Sequence, residues 1–337
     1  MSQTLAIPKG YKPILNLMHT EIAIKELKDF FEETLAEELN LIKVSAPLIV
    51  HEGTGINDNL NGTERIVRFD GIDMNGKQIE IVQSLAKWKR LALAKYGFTI
   101  DEGLYTNMNA IRRDEILDNL HSIYVDQWDW EKVISKDERT INKLKSEVKK
   151  IYKAIKRTEM FMYEFHPQLE PILPNEIHFI TTAELEQLYP TLSPKQREDS
   201  ITKEYGAIFI MQIGGVLSNR EKHDSRSPDY DDWSLNGDLL LWSPLLKKSI
   251  EISSMGIRVD ENALLKQLKD SKEERRLTFP FHQAVINGLL PSSIGGGIGQ
   301  SRLCMYLLKK AHIGEVQASV WNETTINECK SCNITLL

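Results

Sequence analysis

The chain has 337 residues, 41% hydrophobic and 27% charged, with 42 Lys and Arg against 48 Asp and Glu. These are globular proportions that exclude wholesale disorder, and a formal net charge of −6 disfavours a general grip on a nucleic-acid backbone. No run approaches the roughly 20 apolar residues that span a bilayer. Residues 1–12 also lack the apolar stretch of a secretory signal, so a cytoplasmic protein with no membrane partner is expected.

Residues 19–40 carry Ile22, Leu27, Phe30, Phe31, Leu35 and Leu39 at helical spacing. Residues 41–50 read as a strand interrupted by Pro47, which lacks an N–H and belongs at an edge, a bulge or an interface. The runs 65–69 and 78–82 alternate around Asn75-Gly76, a hairpin signature, and 84–96 is helical. Residues 103–111 read as a strand. Residues 120–130 alternate as well, with Ile123, Val125, Gln127 and Asp129 on one face and Tyr124, Asp126, Trp128 and Trp130 on the other. Polar residues among large aromatics are costly in a strand unless one face lines a polar site.

The lysine-rich stretch 136–165 reads as a long helix, and its interleaved Asp137, Glu138 and Glu147 mark a solvated face rather than an RNA-binding one. Strands follow at 177–180, 207–213, 238–242 and 249–253, with helices at 182–188, 194–204, 261–269 and 281–288. Short turns join successive strands. The expected fold is therefore α/β of the α+β kind, a mostly antiparallel sheet flanked by helices. No shift in composition marks a second domain, and 1–337 reads as one domain with its core at about 19–321. Cysteines at 304, 329 and 332 exclude a disulfide framework; the pair Cys329 and Cys332 has CxxC spacing but no second pair to complete a metal or redox site.

Residues 295–303, Gly-Gly-Gly-Ile-Gly-Gln-Ser-Arg-Leu, read as a glycine-rich turn leading into a helix at 303–308. They satisfy neither the GxGxxG nor the GxxxxGK[ST] fingerprint. Arg302, near the start of that helix, can pair with a phosphate oxygen; the plainer alternative is a turn that only packs a helix on a sheet. Asp229, Asp231 and Asp232 precede Asn236-Gly237-Asp238, and Glu251 lies on the next strand between Ile250 and Ile252. With Asp238 opening one strand and Glu251 closing its hairpin partner, two carboxylates face one another, and an oxygen-only pair favours Mg2+. For the 229–232 cluster the alternative is a solvated acidic loop. Arg112, Arg258 and the trio Lys87, Lys89 and Arg90 answer these acids. Arginines beside strand ends and a glycine run, with a carboxylate pair, suggest a nucleoside triphosphate and its metal.

The blocks at 84–90, 121–130, 227–233, 251–258 and 295–302 resemble the aspartate–ammonia ligases, the ammonia-dependent type A asparagine synthetases, across nearly the whole chain. That family is related to the catalytic core of class II aminoacyl-tRNA synthetases. Three signatures of the larger group can be placed: a helix–strand ending at Pro47, Arg112 before an antiparallel strand, and the glycine-rich turn with Arg302. The resemblance implies amidation of L-aspartate by ammonia with ATP, giving L-asparagine, AMP and pyrophosphate through a β-aspartyl-adenylate. It implies Arg112 and Arg302 at the ATP phosphates, Mg2+ as cofactor on Asp238 and Glu251, and adenosine against backbone near Leu120 and Ser253. For aspartate it implies Asp58 at the α-amino group, with Ser84, Lys89, Gln127, Asp129, Ser254 and Arg258, the last able to bind a carboxylate bidentately. Asp231 would lie near the entering nitrogen, and Arg112, Asp231, Arg302 and Lys89 form the implied catalytic set. A homodimer is implied too, with the Pro47 segment at its interface. Relative to the family, the loop between Trp233 and Asn236 is shortened, which bears on how a lid excludes water.

The alternative is an aspartyl- or asparaginyl-tRNA synthetase-like adenylating paralogue. It needs an RNA-binding module, for which the stretch before His19 is too short and nothing follows Leu337. A glutamine-dependent synthetase needs an N-terminal cysteine where this chain has Met1-Ser2. A catalytically silent sensor is disfavoured because each charged position carried over holds a suitable residue. No nucleic-acid partner is expected.

Overall fold

A computed structural model describes residues 5–58, 60 and 64–337; Met1 and Ser2, which bear on the glutamine-dependent alternative, lie outside them. Asn16 caps the first helix, α1 (Leu17–Leu39), by accepting the His19 N–H at 2.9 Å, and Asn40 at φ 57° ends it. The expected single strand across Pro47 is in fact two, β1 (Leu41–Lys43) and β2 (Ile49–His51), in different sheets. Pro47 sits in the connection between them, outside the ladders that β1 makes with β5 and β2 makes with β4, so its missing N–H breaks neither. Strands β3 (Arg68–Phe69) and β4 (Ile79–Ile81) complete a small sheet in the order β2-β4-β3, and Asn75 and Gly76 turn between them at φ 51° and 77°.

The chain continues through α2 (Ala86–Tyr96), β5 (Gly103–Ile111), β6 (Tyr124–Val133), α3 (Ile141–Phe165), β7 (His178–Thr181), α4 (Thr182–Leu188) and α5 (Pro194–Tyr205). It ends with β8 (Ala207–Met211), β9 (Asp231–Ser243), β10 (Lys248–Arg258), α6 (Glu261–Asp270), α7 (Pro280–Ile286), β11 (Ser293–Gly299), α8 (Gln300–Leu307) and α9 (Glu323–Ser331). The large sheet has the order β1-β5-β6-β11-β10-β9-β8-β7, antiparallel throughout except for the parallel pairs at its two ends, β1 with β5 and β7 with β8. The α/β reading, with a mostly antiparallel sheet and flanking helices, holds.

One face of this sheet is apolar. Trp128 and Trp130 from β6, Leu239 and Leu241 from β9, Met255 and Ile257 from β10, and Ile294 and Ile298 from β11 are buried with residues of α1, α3 and α8 in the main core. Truncating either tryptophan to alanine would cost about 3–5 kcal/mol. The basic helix α3 is answered in part by α1, where Arg157 pairs with Glu37 and Glu38 and Lys153 with Glu38, and in part by Glu147 of α3 itself, which holds Lys143 and Lys150. Over the central strands the opposite face is polar, because alternation brings Gln127, Asp129 and Glu131 beside Gly299, Gly297 and Gly295, then Ser254 and Gly256, then Asp238 and Asn236. Toward β8 and β7 the same face turns apolar, with Ile180, Ile208, Ile210 and Leu240 buried with residues of α4 and α5. No helix of the described residues is long and apolar enough to cross a membrane.

Two expectations are corrected here. The glycine run is no turn: it is β11, inside the sheet between β6 and β10. Glycine is required there for room, since a Cβ at Gly295 would come within 2.1 Å of Glu131 Oε2 and one at Gly297 within 2.3 Å of Gln127 Oε1. The Trp233–Asn236 segment, in turn, is no loop but part of β9, so it supplies no lid. Both β9 and β10 run longer than their apolar stretches, because Asn236, Asp238, Ser254 and Arg258 serve the polar face and interrupt the hydrophobic pattern.

Candidate active site

A cavity of about 340 Å³ opens over the polar face. Of the expected residues, Arg112, Leu120, Gln127, Glu251, Ser254 and Arg302 line it, joined by Arg226, Ser227 and Tyr230. Arg302, on α8, donates to the backbone oxygens of Glu251 at 3.1 Å and Leu120 at 3.4 Å, and lies 3.7 Å from the Glu251 carboxylate. Arg112 follows β5, and its Nε is buried with no hydrogen-bond partner. A buried unpaired donor is costly, so such an atom in a cavity wall is poised for an anion.

Asp238 and Glu251 do not face one another across a hairpin. Glu251 pairs with Leu240 in the regular register, two residues from Asp238, and a bulge between Glu251 and Ser253 then sets Asp238 opposite Ser254. They still feel each other: burial pushes Asp238 up to about 7, with Glu251 and Asp224 adding to the rise and Arg226 opposing it. Asp238 Oδ1 is buried without a partner, and Arg226 is bonded to the other oxygen. No group of three or more His, Cys, Asp or Glu side chains that could hold a metal is gathered among the described residues, so these two carboxylates stand as a pair.

Arg258 has its partners inside the protein. Glu131 takes it bidentately, at 2.9 Å to Nε and 2.6 Å to Nη2, and Asp231 takes Nη1 at 2.5 Å. Only 2% of Arg258 is exposed, so the free guanidinium that the resemblance implies is not present. Asp231 is equally buried and does not line the cavity; burial raises its carboxyl although Arg258 opposes the shift. Lys89, on α2, is bonded to Asp129 and donates to the Trp130 and Gly296 carbonyls at 2.9 and 3.0 Å. Lys89 and Asp129 therefore lie beneath the cavity wall. Ser84 accepts the Ala86 N–H at 3.1 Å at the start of α2 and stays outside the cavity, and the Ser253 side chain belongs to the apolar face.

Asp58 joins a further cluster. Ser227 donates to Asp58 at 3.2 Å and to Asp229 at 2.8 Å, and Asp229 also holds Lys87, Arg276 and His282 at 2.9–3.1 Å. Burial pushes Asp58 up to about 6, and its Oδ2 has no partner. Burial acts on Asp229 too, but Lys87, His282 and Arg276 outweigh it and hold that carboxyl well below its usual range. The acidic 229–232 cluster is thus no solvated loop at Asp229 and Asp231.

Three residues escaped the sequence reading. Glu131 continues the alternation of Gln127 and Asp129, so the strand periodicity could have found it. Arg226 stands in an irregular segment where no period singles it out. Ser227 opens a recognised block but gave no sign of joining two aspartates.

The family model for aspartate–ammonia ligase matches residues 18–333. The aspartate–ammonia ligase of Clostridium perfringens is 62% identical over 99% of this chain and the whole of its own length, and that of Clostridium tetani is 58% identical over all of this chain and 98% of its own. The chain belongs to the aspartate–ammonia ligase family. As a member it is an enzyme, a ligase of asparagine biosynthesis. Its fold matches the asparaginyl-tRNA synthetase of Pyrococcus horikoshii solved with asparaginyl-adenylate, at TM-score 0.64 and 16% identity, over 89% of this chain and 68% of that one. A class II synthetase fold accounts for the long, mostly antiparallel sheet with a polar stretch over its central strands.

Proposed function

We propose that the chain converts L-aspartate, ATP and ammonia to L-asparagine, AMP and pyrophosphate. The β-carboxylate attacks the α-phosphorus and pyrophosphate leaves; ammonia then attacks the acyl carbon of the adenylate and AMP leaves. The observation that carries this reading is the gathering of Arg112, Arg302, Glu251, Gln127 and Ser254 around one cavity. Arg112 and Arg302 neutralise phosphate charge as it shifts to the leaving group. Backbone near Leu120 and Ser253 meets the adenosine. Asp58, with one buried oxygen unpartnered, receives the substrate ammonium, which would hold it ionised.

Asp238 and Glu251 would hold Mg2+: both are hard oxygen donors, and the orphaned Asp238 Oδ1 fits such a cation. When bound, Mg2+ offsets the charge of the polyphosphate. Arg258 acts as a positioning residue, fixing Asp231 and Glu131 instead of clamping the substrate. Asp231 in turn orients or deprotonates the entering ammonium, since only neutral ammonia is nucleophilic. Ser84, Lys89 and Asp129 support the aspartate site from behind its wall. The enzyme acts as a cytoplasmic homodimer with the Pro47 segment at the interface; a monomer by light scattering at micromolar concentration would count against this.

The test is to supply aspartate with 18O in its β-carboxylate, together with ATP and either ammonium, glutamine or tRNA. Label passing into AMP, with asparagine formed from ammonium, supports the adenylate route. Product only with tRNA overturns it.

A further inference from the structure

Arg226 belongs to none of the roles above, yet it lines the same cavity as Arg112 and Arg302. Its guanidinium bonds Asp238 through Nη2, and through Nη1 it reaches Asp224 at 2.7 Å and the Ser225 carbonyl at 2.8 Å. Asp238 itself, 5% exposed, does not line the cavity. Arg226 therefore covers the carboxylate that, on the reading just given, receives a divalent cation. Arg226 holds Oδ2 and leaves Oδ1 free, but a cation on Oδ1 would place two positive charges on one carboxylate, and they repel strongly where little water intervenes.

The charges explain why both positions suit this arginine. The carboxylates of Asp224, Asp238 and Glu251 lie among the guanidiniums of Arg226 and Arg302, and Arg226 relieves the repulsion between Asp238 and its acidic neighbours. A divalent cation on Asp238 and Glu251 removes that need. The displaced guanidinium then borders a cavity in which the phosphates supply new acceptors, and guanidinium matches phosphate geometry well.

We propose that Arg226 is a two-position latch: it closes Asp238 while the site is empty, and is released by the divalent cation to grip the β- and γ-phosphates beside Arg112 and Arg302. This rests on the ATP and Mg2+ reading above.

Opposite effects on two ligands test it. In Arg226→Gln, Mn2+ added without nucleotide and followed by electron paramagnetic resonance should bind at least about threefold tighter than to the unaltered enzyme, because its competitor is gone. ATP added with saturating Mg2+ and without aspartate, followed by calorimetry, should bind about 10- to 100-fold more weakly, the range for a lost charge-assisted contact. Arg226→Lys, which keeps the charge but cannot bridge two carboxylates, should shift both in the same directions by less. It also carries the test if the glutamine variant fails to fold. Mn2+ affinity unchanged or weakened overturns the latch, as does unchanged ATP affinity; a merely structural role would weaken both ligands together. An unaltered enzyme that binds neither Mn2+ nor ATP would overturn the nucleotide reading itself.

Discussion

Arg258 and Arg302 stand on the same polar face but in opposite circumstances. Arg258 is enclosed by Glu131 and Asp231, and Ser293 in turn donates to Glu131 at 2.7 Å. Arg302 rests on two backbone oxygens at the edge of open space, near a carboxylate at 3.7 Å. Around the first, the charges satisfy one another; around the second, Arg112 Nε and Asp238 Oδ1 have no partner at all. The fold completes its own electrostatics in one place and leaves them incomplete in the other, and incompleteness is what a charged ligand needs.

Replacing each arginine by methionine breaks the comparison most sharply. Arg302→Met should reduce asparagine formation by about 10²–10³-fold, the usual loss when one charge-stabilising donor is removed, while stability changes by less than about 1 kcal/mol. Arg258→Met should lower stability by about 3–5 kcal/mol in urea unfolding, because Glu131 and Asp231 are left buried without a counter-charge. Equal stability losses in the two variants would erase the distinction.

A smaller effect is expected at Gly297. Alanine there places a Cβ 2.3 Å from Gln127 Oε1, at the flexible end of a side chain that lines the cavity. Overpacking of this kind costs about 1–3 kcal/mol. KM for aspartate should rise more than KM for ATP, since Gln127 moves and Arg302 does not. The same substitution at Gly296, which meets the Met255 Cβ at 2.4 Å and the Ser254 carbonyl at 2.6 Å, should cost more stability, because backbone cannot yield as a side chain does.

The same contrast explains what could be read from the sequence. The helices, the small hairpin, β5 and the sheet's character follow from local periodicity and caps, which are properties of neighbouring residues. The site is another matter. Gln127, Glu251 and Arg302 were legible in family blocks and Arg112 as a signature of the larger synthetase group, and the structure gathers them. The glycines of β11 misled because glycine signals a turn when seen alone, whereas here it makes room for Glu131 and Gln127 on the adjoining strand. Arg258 looked available because its two acidic partners lie 127 and 27 residues away in sequence. Whether a charge is satisfied is a long-range property, and no local pattern encodes it.

Two carboxylates that share one serine carry the comparison to its finest point. Ser227 donates to both Asp58 and Asp229, yet Asp58 is pushed up to about 6 while Asp229 is held well below its usual range. Burial raises both; the difference is that Asp229 holds Lys87, Arg276 and His282 directly, and Asp58 has an oxygen with none. For Asp58 the folded value lies above the unfolded one, so the folded state binds more protons between about 4 and 6. Its stabilising contribution is present below that window and fades as pH rises through it, by less than about 1.4 kcal/mol per pH unit. For Asp229 the sign reverses: its contribution is present above about pH 4 and fades on further acidification. Urea unfolding of the ligand-free enzyme from pH 4 to 7 should therefore show a decline that becomes shallower in Asp58→Asn, the remainder coming from Asp238, which burial also raises. Saturating aspartate should make it shallower likewise, because the substrate ammonium supplies the counter-charge that Asp229 already has. A decline of equal slope in Asp58→Asn would place its source elsewhere and leave Asp58 without the open valence assigned to it.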